Sequence, residues 1–75
     1  MDYVAEIEKL VTVKAGLDAE HEKYMSRMRE LAATESGEEL AGLLMMEIEA
    51  TIEYELMVER VDDTIGKLKF LIAMS

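Results

Sequence analysis

Apolar residues recur every three or four positions along two long stretches of the chain, and the one clear interruption between them is Thr34-Glu35-Ser36-Gly37. That period lines side chains along one side of a helix, whereas a half-buried strand needs strict alternation. No Pro breaks either stretch, and Glu, Ala, Leu, Met and Lys are abundant, which favours helix throughout. An all-α fold is expected: a first helix over about residues 2–34, a second over about 37–74, and a very short turn between them. Ser36 and Glu39 have the spacing of a capping box, in which each side chain accepts from a backbone N–H of the other residue.

In the first helix Tyr3, Leu10, Leu17, Tyr24 and Leu31 form one row and Val4, Val11, Asp18, Met25 and Ala32 a second, with Ile7, Lys14, His21 and Met28 between them. Gly16 falls on the opposite, polar side, where it weakens the helix by about 1 kcal/mol and marks a place for a kink. In the second helix the central row is Leu40, Glu47, Tyr54, Val61 and Leu68. Leu43, Ala50, Met57, Thr64 and Leu71 flank it on one side, and Leu44, Thr51, Val58, Ile65 and Ile72 on the other. Met45, Ile48 and Ile52 add a further apolar shoulder.

Helices of these lengths reach roughly 50–57 Å at 1.5 Å per residue, and a lone hairpin of that shape has no interior. A core in a chain below roughly 70–80 residues supplies only about 3–5 kcal/mol unless a disulfide, a metal or a partner reinforces it. With no Cys, disulfides and thiolate metal sites are excluded. The expected remedy is a second copy: two long antiparallel hairpins forming a homodimeric four-helix bundle or a higher oligomer, with residues 1–75 as a single helical-hairpin domain.

Seventeen acids against eight bases leave a formal charge of −9. That balance opposes direct binding to nucleic acid or to an anionic membrane, both of which need clustered Lys or Arg. The opening Met1-Asp2-Tyr3-Val4-Ala5-Glu6 lacks the basic region and apolar run of a signal peptide, so a cytoplasmic location is expected. The apolar tail from Leu68 to Met74 is far shorter than the about 20 residues that span a bilayer.

Three polar residues, Lys14, Asp18 and His21, interrupt the first stripe one turn apart, and Glu47 interrupts the second. In an antiparallel hairpin closed at this turn, residues whose numbers sum to about 72 lie opposite one another, which brings His21 near Thr51 and Glu47. The leading expectation is a polar seam with Lys14–Asp18 and His21–Glu47 pairs, fixing register at some cost in stability. The alternative is a metal site. Asp18-x-x-His21 places a carboxylate and an imidazole on one face, and two copies with Glu47 would offer the ligand count of a ferritin-like bundle for Fe, Mn or Zn. Asp where di-iron bundles carry Glu, and Lys14 beside it, count against that alternative.

Glu59-x-x-Asp62 with Glu35, Glu38 and Glu39 resembles the Mg²⁺-holding carboxylate sets of helical nucleotide pyrophosphohydrolases. The chain lacks the further helices such a site needs, and a solvated charged face is expected there. Ser26 and Ser36 have no His in their pattern, so no nucleophilic catalytic set emerges.

The acids are unevenly placed. Residues 38–75 hold nine acids and three bases, against eight and five in residues 1–37. Between Glu47 and Asp63 only Arg60 opposes seven acids. Glu49, Glu53, Glu59 and Asp63, with Leu56 as an apolar anchor among them, form a candidate surface for a basic protein partner. The functional expectation is a non-enzymatic acidic interaction module, an adaptor, inhibitor or regulator that needs no cofactor. A metal-binding bundle and a structural subunit of a larger helical assembly are the alternatives.

Overall fold

The structure, a computed structural model, describes residues 2–75. It consists of α1, Tyr3–Ala32, and α2, Gly37–Met74, joined by residues 33–36. Lys14 of α1 meets Asp62 of α2, and Met25 meets Thr51, so the two helices run antiparallel as a hairpin. The rod measures 58 × 15 × 13 Å. α1 passes through Gly16 without interruption, and a Cβ there would touch nothing within 4 Å.

The helix ends depart from expectation in two places. α1 starts one residue later than expected because Asp2 is its N-cap, accepting from the Ala5 N–H at 3.1 Å. It also stops at Ala32, where Ala33 and Thr34 turn back on the carbonyls of Arg29 and Leu31. At the start of α2, Ser36 occupies the cap position in extended conformation, but its side chain makes no capping hydrogen bond. The expected Ser36–Glu39 box is therefore replaced by another device. Gly37 sits at φ +64°, a left-handed conformation that a residue with a Cβ rarely adopts, and it carries the change of direction into α2. Glu38 and Glu39 then place negative charge on the first turn, where the helix dipole favours it.

The surfaces that meet follow a heptad rule. On α1 a sheltered row runs through Tyr3, Ile7, Leu10, Lys14, Leu17, His21, Tyr24 and Met28, alternating three and four residues apart, with Ala5, Glu6, Met25 and Ala32 half-sheltered beside it. On α2 the row is Leu40, Leu43, Glu47, Ala50, Tyr54, Val58, Val61, Ile65 and Leu68, with Thr51 half-sheltered beside Ala50. Spacing of 3.5 residues is the seam of a two-stranded coiled coil, in which one helix shelters a strip about two positions wide. Side chains beyond that strip stay open: Val4 and Val11, members of the second expected row of α1, are 55% and 53% exposed. Among the described residues only Met28 is buried, at 3%.

Candidate functional site

The polar positions of the seam come together, but with other partners than the sequence predicts. Lys14 Nζ reaches across to Asp62, at 2.9 Å from Oδ1 and 3.3 Å from Oδ2, and not to Asp18. Asp18 instead accepts the phenolic hydrogen of Tyr54. His21 lies flat on the same Tyr54 ring, with centroids 4.1 Å apart and planes 4° from parallel, so the expected pairing with Glu47 is replaced by an aromatic stack. Glu47 is half-sheltered in the seam and makes no ion pair or side-chain hydrogen bond among the described residues.

The cause is register. His21 sits beside Tyr54 and Thr51 sits beside Met25, about one helical turn away from the alignment expected of a minimal turn. That offset carries Glu47 out of reach of His21 and puts Tyr54, a member of the central row, at the hub. Asp18 raises the Tyr54 phenol above its ordinary pKa, because the carboxylate accepts the hydroxyl hydrogen and would repel a phenolate.

Burial sets the worth of this cluster. The Lys14 and Asp62 side chains are 37% and 51% exposed. An exposed pair contributes about 0.2–1 kcal/mol, far from the roughly 3–5 kcal/mol lost when a buried pair is broken. The seam is in contact with water. Asp18, His21 and Glu47 do not converge within one chain, and no group of three His, Asp or Glu residues among the described residues is arranged to hold a metal.

The acidic candidates all lie on the exposed surface of α2, and the structure divides them. Glu49 and Glu53 border a groove between the helices lined by Leu17, His21, Tyr24, Met46, Ala50 and Met57. Leu56, Glu59 and Asp63 surround a shallow hollow with Arg60 and Asp62 further round the helix. Asp63 pairs with Lys67 at 3.0 Å. Glu49, Glu53 and Glu59 make no ion pair among the described residues. Between the two acidic sets runs the apolar shoulder: Met45, Ile48, Ile52 and Leu56 are 62%, 59%, 52% and 53% exposed.

α2 thus turns one apolar side to α1 and leaves a second apolar stripe open. Soluble monomers rarely leave such a helix uncovered. Among the described residues no helix is long and apolar enough to cross a membrane. Fold and surface together define a long antiparallel helical hairpin with acid-bordered apolar faces. No family model, curated protein or solved structure matches the chain.

Proposed function

We propose that this protein is a non-enzymatic acidic interaction module that pairs with a second copy of itself as a helical bundle and recruits a basic protein partner through α2. The observation that carries this reading is the area left uncovered. The chain exposes 5770 Å². A compact protein of 8.5 kDa exposes roughly 4,700 Å². The excess is on the order of 1,100 Å², similar to the about 800 Å² that each partner contributes to a standard interface. The groove side supplies apolar material for a second hairpin: Leu31, Met46 and Met57 are 46%, 49% and 43% exposed there.

Sedimentation equilibrium at micromolar concentration tests the pairing, with a dimer expected and a monodisperse, fully helical monomer against it. For the partner, reversing Glu49, Glu53 and Glu59 to Lys is expected to abolish capture of basic proteins while helicity stays unchanged. Added salt is expected to weaken capture, since the Debye length is about 8 Å at 0.15 M. Capture that survives the triple reversal refutes the recruiting role of α2.

A further inference from the structure

We infer that the outward stripe Met45–Ile48–Ile52–Leu56 is the seat of a basic amphipathic helix, which lays its apolar face along the stripe and its Lys or Arg side chains against the acids on both borders. This rests on the recruiting role proposed for α2 and specifies what form the partner takes there.

The stripe is a continuous ridge on the side of α2 away from α1. At 100° per residue, Ile48, Ile52 and Leu56 form an i, i+4, i+8 row with Met45 one turn before it, about 16 Å from end to end. All four residues are more than half exposed. A row of that kind is the ridge into which another helix packs, its own side chains entering on either side.

Charge selects the occupant. Glu49 and Glu53 lie along one border of the ridge, Glu55 and Glu59 along the other, and none of the four makes an ion pair among the described residues. A second copy seated on the same ridge would bring four identical carboxylates against these four, a like-charge arrangement that disfavours the complex. A helix with apolar residues at i, i+4 and i+8 and cations beside them meets apolar surface with apolar surface and acid with base. Long-range attraction then speeds encounter, while the apolar contact limits dissociation.

The probes are synthetic helices titrated into the intact protein and followed by fluorescence anisotropy. One is a Leu/Lys amphipathic peptide of about five turns. The second is a Leu/Glu version of it, and the third a Lys-bearing sequence of equal charge whose Leu residues are scattered round the helix. The Leu/Lys helix is expected to bind at least tenfold more tightly than either control. Ile48→Asp with Ile52→Asp is expected to cost a further tenfold or more while circular dichroism stays unchanged, since both side chains are exposed. Glu49→Gln, Glu53→Gln, Glu55→Gln and Glu59→Gln together are expected to weaken binding and flatten its salt dependence.

Equal binding of the scattered peptide, or binding untouched by the Ile48 and Ile52 changes but lost with the four Gln changes, overturns the helix seat and leaves the acidic recruiting surface standing. Failure of both Lys peptides to bind overturns the two together. A loss of dimer mass on Ile48→Asp with Ile52→Asp, with no peptide present, assigns the ridge to a second copy and overturns the inference.

Discussion

At the scale of single residues, Tyr54 organises more of the hairpin than any charged group does. Its ring receives the His21 imidazole and its hydroxyl donates to Asp18, so one side chain ties two successive turns of α1 to α2. Because Asp18 holds the Tyr54 pKa above the unfolded value of about 10, the neutral phenol is favoured in the folded state. This contribution to stability is complete below about pH 10 and is lost as the pH rises through the folded-state value. Alkaline spectrophotometric titration is expected to find the Tyr54 phenolate forming later than in free tyrosine, and Asp18→Asn to bring it back down. A Tyr54 titration indifferent to Asp18→Asn would remove that hydrogen bond from the account. Lys14→Ala is expected to cost no more than about 1 kcal/mol in chemical denaturation, because the Asp62 pair is exposed to water.

At the scale of the elements, the glycines separate two roles that look alike in sequence. Gly16 and Gly66 lie inside α1 and α2 with open space where a Cβ would stand. Gly16→Ala and Gly66→Ala are each expected to stabilise the protein by about 0.5–1 kcal/mol, through helix propensity and a less mobile unfolded chain. Gly37→Ala has equally open surroundings but must hold φ near +64°, and it is expected to destabilise by about 1 kcal/mol. Ser36→Ala is expected to be close to neutral, since its hydroxyl caps nothing. Urea denaturation of the four variants checks the three signs and the near-zero effect of Ser36→Ala. A cost for Ser36→Ala equal to that of Gly37→Ala would restore the capping box.

At the scale of the whole molecule, the dominant fact is the ratio of surface to interior. The radius of gyration is 17.2 Å, against about 11 Å for a compact chain of this length. One buried side chain cannot offset the ordering of two helices, so stability is expected to come from association and to depend on concentration. The melting temperature should rise with protein concentration, and Leu17→Asp or Val58→Asp, each placing a charge in the sheltered seam, should dissociate and unfold the protein in one transition. Differential scanning calorimetry over a hundredfold concentration range reads both, and a melting temperature independent of concentration would contradict the dimer.

The two helices, their ends to within about two residues and the side of each that faces the other were legible in the sequence, because helix propensity and the 3.5-residue period are local properties. The cluster members Lys14, Asp18 and His21 were legible for the same reason, as polar breaks in an apolar row. Their partners were not. Asp62 and Tyr54 become neighbours of α1 only through the register of one helix against the other, and a shift of about one turn replaces every cross-helix pair while leaving both stripes aligned. The turn that sets this register relies on the backbone of Gly37, where the Ser36–Glu39 pattern pointed to side-chain capping. The outward ridge was visible as residue types, and its openness was decided by the tertiary structure alone: one helix shelters a strip about two positions wide, and Met45, Ile48, Ile52 and Leu56 lie beyond it.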